Sequence, residues 1–181
     1  KPEPADNEIE VESILTGICS SDVAMYNGTF TTLPKVIQGH ECVGRVSKKG
    51  AFVSGVKVGD YVATRGEPAY ADIYNCAKGT YCVVPEAKPE YIIEPVACAV
   101  NMEMVCHDEL KQRDGGKMLI IGTGFLAKVF HQTVLQSSDY SYDISVLGKS
   151  NADYWGNALV NIGQDVYDVV VDLKGSNIIK D

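Results

Sequence analysis

The stretch MLIIGTGFLA at residues 118–127 limits the fold more than any other part of this sequence. Its apolar run is too short for a helix but suits a strand buried on both faces. Gly122 and Gly124 allow a tight turn, after which Phe125, Leu126, Val129, Phe130, Thr133 and Val134 repeat with a helical period. A strand, a glycine turn and a helix in that order predict a parallel sheet with helices packed on it. YDISVLGKS at 142–150 and VYDVVVDLKGS near the C-terminus predict two neighbouring strands.

Before residue 115 the pattern differs. EIEVESIL, CVGRVSKKG, KVGDYVAT and GTYCVVPE are short β-type runs, each ended by Gly, Pro or charge, as in an antiparallel, barrel-like region. The chain therefore reads as α/β with a β domain: residues 1–110 as a β-barrel domain, then 111–181 as part of a doubly wound parallel sheet. Internal repeats and low-complexity tracts are absent from the sequence.

A chain of 181 residues, 45% of them hydrophobic, has enough apolar material for such cores. Its net charge of -8 and pI near 4.9 argue against a nucleic-acid partner, which needs clustered Lys and Arg. No apolar run reaches the roughly 18 residues a membrane-spanning helix requires, so no membrane partner and a cytoplasmic location are expected. The six cysteines contain no CxxC pair, which points to reduced thiols or metal ligands rather than a disulfide framework or a zinc ribbon. Cys42, Cys98 and Cys106 read as core thiols, and His107 and His131 as surface or packing residues.

The glycine turn has a chemical reading as well. Gly122 and Gly124 would let the backbone approach a pyrophosphate at the helix N-terminus, and Ala127 would supply the small residue where helix and strand pack closely. The next strand should end beside the adenosine ribose. A carboxylate there favours NAD(H), whereas this chain offers Lys149 and Ser150, which would attract and hydrogen-bond a 2'-phosphate. NADP(H) is therefore preferred, with Asp153 slightly further on keeping NAD(H) open.

Several separated segments carry a resemblance. GICSSD at 17–22, GHECVG at 39–44, VKVGDYV at 56–62 and IEPVACAV at 93–100, together with the glycine turn, resemble the zinc-dependent medium-chain alcohol and polyol dehydrogenases. Ser20 stands where that family has a glycine. The resemblance implies a GroES-like β domain followed by a Rossmann domain, and a catalytic zinc held by Cys19, His40 and Glu94. It places Ser21 at the start of a proton relay from the alcohol oxygen and Asp22 in a hydrogen bond that orients the ligands. Glu41 lies beside the metal, able to exchange with Glu94 or water.

A thiolate, an imidazole and a carboxylate suit a catalytic zinc site, which keeps one position open. The resemblance further implies an alcohol, polyol or carbonyl substrate, a nicotinamide cofactor and a homo-oligomer. The Glu94-Pro95 pair leans toward polyols. Only Cys76 and Cys82 occupy the region of the family's second, structural zinc, which is therefore not expected. Family members are longer, so this chain reads as a shortened form, missing the first family strand and the later Rossmann strands. Two other outcomes stay open: a non-catalytic binding or structural protein on the same scaffold, and a zinc-free quinone reductase relative.

Overall fold

A computed structural model describes residues 3–31, 37–149, 151–160 and 166–174. The chain forms two compact units, Lys1–Pro95 and Val96–Asp181. The expected boundary near residue 110 falls close to the end of a helix, Glu94–Gln112, that starts in the first unit and continues in the second.

Among its described residues the first unit holds five strands: β1 (Glu8–Thr16), β2 (Cys42–Lys49), β3 (Tyr61–Thr64), β4 (Ile73–Ala77) and β5 (Tyr81–Val84). They form one antiparallel sheet in the order β4-β1-β2-β3-β5. Side chains on one face of each strand meet in a core of Ile9, Val11, Val46, Val62, Tyr74 and Cys76. The Tyr74 and Thr64 hydroxyls hydrogen bond at 2.5 Å although β4 and β3 are not neighbours, so the sheet curls around its interior. A short helix, α1 (Ser20–Tyr26), follows β1.

The sequence reading did not anticipate β4. Its alternation of outward and inward residues is real but covers only five positions, with Asn75 in the middle.

The second unit contains α2 (Glu94–Gln112), β6 (Lys117–Ile121), α3 (Phe125–Leu135), β7 (Asp143–Leu147), α4 (Ala152–Trp155), β8 (Leu159–Val160) and β9 (Val169–Asp172). All its strands pair in parallel, in the order β8-β7-β6-β9. Met118, Ile120, Phe130, Val134, Val146 and Trp155 form the core between sheet and helices. One expectation needs correction. Cys98 and Cys106, read as core thiols, are exposed along α2, whereas Cys42 is buried as expected.

The second unit also carries a charged clamp. Glu103 on α2 accepts hydrogen bonds from the Tyr140 hydroxyl (2.5 Å) and interacts with His107 Nδ1 (2.8 Å), while His107 Nε2 meets Asp139 (3.1 Å). Lys111 stands 4.0 Å from Asp139. The hydrogen bond with Glu103 raises the His107 pKa against an opposing desolvation effect, with Asp139 adding to the rise. Burial works to raise the Glu103 pKa, but its bonds with Tyr140 and His107 outweigh it and bring the pKa below the usual carboxylate value.

The signs of these shifts define a window. The His107 contribution is complete below the ordinary histidine pKa of about 6.5 and disappears as pH rises through its higher folded value. The Glu103 contribution is complete above about 4.3 and disappears as pH falls through its lower folded value. Protection of the Tyr140 and Ser141 amides from hydrogen exchange is therefore expected to be greatest near pH 5–6 and to fall toward pH 8, a trend that His107→Gln should flatten.

Candidate metal and nucleotide sites

In the first unit, Cys19 caps the N-terminus of α1 and His40 and Glu41 lie just before β2. Sγ of Cys19, a ring nitrogen of His40 and a carboxylate oxygen of Glu41 all lie within 4.8 Å of one another. Glu94, the expected third ligand, is not in that group. It opens α2 with Pro95 in the first turn, is 8% exposed and lies 3.9 Å from Arg65 Nε. Its charge is still close enough to raise the pKa of Glu41. Glu41 reaches the group because it follows His40 directly in the chain.

Two glycines make room for this arrangement. A Cβ on Gly17 would lie 2.3 Å from Oε2 of Glu41, so the carboxylate passes over a position that must lack a side chain. Gly39 has φ +92°, a conformation that favours glycine, and a Cβ there would come within 2.6 Å of the Tyr70 ring.

Asp22, at the third position of α1, is 5% exposed. Its Oδ2 accepts the Cys19 amide at 2.9 Å, half of a capping box, and the Tyr70 hydroxyl at 2.9 Å. Its Oδ1 lies 3.6 Å from His40 Nδ1 and has no hydrogen-bond partner among the described residues. Ser21 is half-buried beside it in the first turn. Burial, the Asp22 hydrogen bond and nearby negative charges push the Tyr70 pKa up to about 12, so the phenol remains a donor at neutral pH.

The electrostatics favour a cation. Asp22, Glu41 and Glu94 are each under a tenth exposed. Burial and the charges of Glu94 and Asp22 raise the Glu41 pKa, with His40 opposing them. Buried carboxylates this close repel one another unless a positive charge is shared among them. A donor set of sulfur, nitrogen and oxygen is the set that zinc accepts, and the unpaired Asp22 Oδ1 facing His40 is the partner that a metal-bound imidazole uses for its second nitrogen. The residues present therefore fit the metal. A cleft of about 710 Å³, bordered by Thr16, Ile18, Val23, Tyr26 and Tyr70, opens beside Asp22.

The second unit brings together most of the expected nucleotide residues. Gly122, with φ +125°, turns the chain out of β6, and Gly124 caps α3 without a side chain, leaving the first amides of the helix open to an anion. Ala127 is buried where α3 meets the sheet. Gly122 N donates to the Leu147 carbonyl, and the Thr123 carbonyl accepts from Asn151 Nδ2 at 2.6 Å and Trp155 Nε1 at 3.4 Å. These bonds tie the glycine turn to the segment after β7. Lys149 is exposed just past β7, Asp153 is exposed on α4, and Ser150 lies outside the described residues. No local pattern points to Tyr70, 48 residues from Asp22, or to the double tether on Thr123.

An antiparallel β unit with this donor set, followed along the chain by a parallel sheet with a glycine turn, is the architecture of the zinc-type medium-chain dehydrogenases. Residues 5–131 match the alcohol dehydrogenase GroES-like domain, and the chain belongs to that family. It is 33% identical over 91 residues to L-threonine 3-dehydrogenase of Pyrococcus abyssi, covering 48% of this chain and 26% of that protein. A probable quinone oxidoreductase of Leishmania amazonensis is 27% identical over 169 residues, covering 90% of this chain and 47% of that protein. The fold is also that of the quinone oxidoreductase from Coxiella burnetii, with a TM-score of 0.74 and 18% identity over 98% of this chain and 63% of that one. The chain thus spans less than two-thirds of the length of each of these relatives.

Proposed function

We propose that this chain carries the metal centre and the first part of the nucleotide-binding sheet of a zinc-dependent oxidoreductase, acting on an alcohol or polyol with a nicotinamide cofactor, NADP(H) preferred. The observation that carries the reading is the convergence of Cys19, His40 and Glu41 within 4.8 Å, with Asp22 facing His40. When bound, zinc polarises the substrate oxygen and the nicotinamide ring takes or gives the hydride.

In this reading Cys19 and His40 would hold the metal through sulfur and a ring nitrogen. Glu41 would supply the carboxylate oxygen, with Glu94 or water as the ligand it could exchange with. Oxidation of the alcohol removes a hydride from its carbon and a proton from its hydroxyl, and Ser21 receives that proton first on its way to solvent. The cleft beside Asp22 has apolar walls in Ile18, Val23 and Tyr26 and suits a substrate larger than ethanol. Amides of the Gly122–Gly124 turn would hold the pyrophosphate, Ala127 lets α3 lie close, and Lys149 with Ser150 would receive the 2'-phosphate.

The test of the metal is direct. Purified protein should contain about one zinc per chain, removable by chelator and restored by zinc alone. A chain that takes up no zinc yet binds NADPH tightly would favour the quinone reductase reading, which draws support from the relative matched over 90% of this chain. Lys149→Glu should weaken NADPH binding by about tenfold or more and leave NADH binding nearly unchanged, as measured by calorimetry at fixed salt. An equal loss for both cofactors would remove the proposed role of Lys149.

A further inference from the structure

The Tyr70 hydroxyl is the only side-chain group among those described here that is bonded to the carboxylate facing His40. It lies 2.9 Å from Asp22 Oδ2 and 3.2 Å from the Gly17 carbonyl, at the segment where Cys19 begins α1. Its ring is held against Gly39, the residue before His40. One phenol therefore touches both loops that supply the metal donors.

Consider what fixes the Asp22 carboxylate. A carboxylate can rotate about its last bond unless its oxygens are differently occupied. Here Oδ2 takes both the Cys19 amide and the Tyr70 hydroxyl, which leaves Oδ1 alone to address His40 Nδ1. An acceptor opposite Nδ1 stabilises the tautomer with its proton there and leaves the lone pair on Nε2. Without the phenol, Oδ2 would keep one donor, and the carboxylate could turn or draw in water.

We propose that Tyr70 is a positioning residue: through Asp22 it sets the tautomer of His40 and so prepares Nε2 to bind the metal. The use of that tautomer rests on the zinc reading above, but the tautomer itself does not. The contact arises between positions 22 and 70, and neither belongs to a local motif that would pair them.

Two measurements on the full chain test this. In zinc-free protein at a pH where the ring is neutral, long-range nitrogen NMR should show His40 protonated on Nδ1. In Tyr70→Phe, which keeps the ring against Gly39, the tautomers should mix. Zinc affinity, read by competition with a chromophoric chelator, should fall by about tenfold to a hundredfold in Tyr70→Phe. In an Asp22→Asn background the same change should have little further effect, since the two act through one contact.

A purely structural role would lower the melting temperature of zinc-free protein and leave tautomer and affinity unchanged, and that result would overturn the proposal. So would a wild-type His40 protonated on Nε2, a measurement that needs no variant to fold. A wild-type chain that binds no zinc would end the metal reading, while the tautomer result would still decide the role of Tyr70.

Discussion

A Cys19→Ala chain is expected to leave purification with no more than about a tenth of the wild-type zinc and, under the proposed function, to oxidise an alcohol with NADP+ about a thousandfold more slowly than wild type. The size follows from what the thiolate does. It is the only sulfur in the donor group, and a metal-bound thiolate would supply charge that an imidazole ligand cannot. Without it, His40 and Glu41 alone make a two-donor site, too few for a stable catalytic zinc. Polarising the substrate oxygen contributes several kcal/mol to the barrier, and about 4 kcal/mol corresponds to three orders of magnitude in rate. Asp22→Asn should be milder, lowering affinity by about tenfold to a hundredfold, because it touches His40 rather than the metal. Metal analysis and chelator competition on both variants, with circular dichroism to confirm that each is folded, check the ranking. Full zinc content in Cys19→Ala would end the assignment.

Phe130→Ala should cost the second unit about 3–5 kcal/mol. Phe130 is 2% exposed in the core with Met118, Ile120, Val134 and Trp155, so truncation removes a ring and leaves a cavity between α3 and the sheet. Domains are typically stable by about 5–15 kcal/mol, so the loss would remove a large share of this unit's stability. Hydrogen exchange at the Ile120 amide, in the central strand β6, should accelerate by about two to four orders of magnitude. An acceleration below about tenfold would show that the core relaxes around the gap.

The parallel unit was legible because its signals are local. The run into Gly122 and the helical period of Phe130 and Val134 each lie within one turn or strand, and β6, α3, β7 and β9 follow them. Helix α2 was missed: its residues alternate little between polar and apolar faces, and much of it is exposed, so periodicity was weak. The expected burial of Cys98 and Cys106 failed for the same reason. At the candidate metal site, which carboxylate lies with Cys19 and His40 depends on backbone path. Glu41 is carried there by its neighbour, while Glu94 depends on how α2 begins. Tyr70 could not be seen at all, since its role exists only once distant strands have brought its hydroxyl to Asp22.

The chain contains a single tryptophan, and its indole donates to the carbonyl at the centre of the glycine turn. His131 and Tyr154 pack edge-on against the same ring. Any ligand that shifts the turn therefore perturbs an intrinsic fluorophore, so arrival of the proposed nucleotide should be readable by emission in unlabelled protein without an engineered probe.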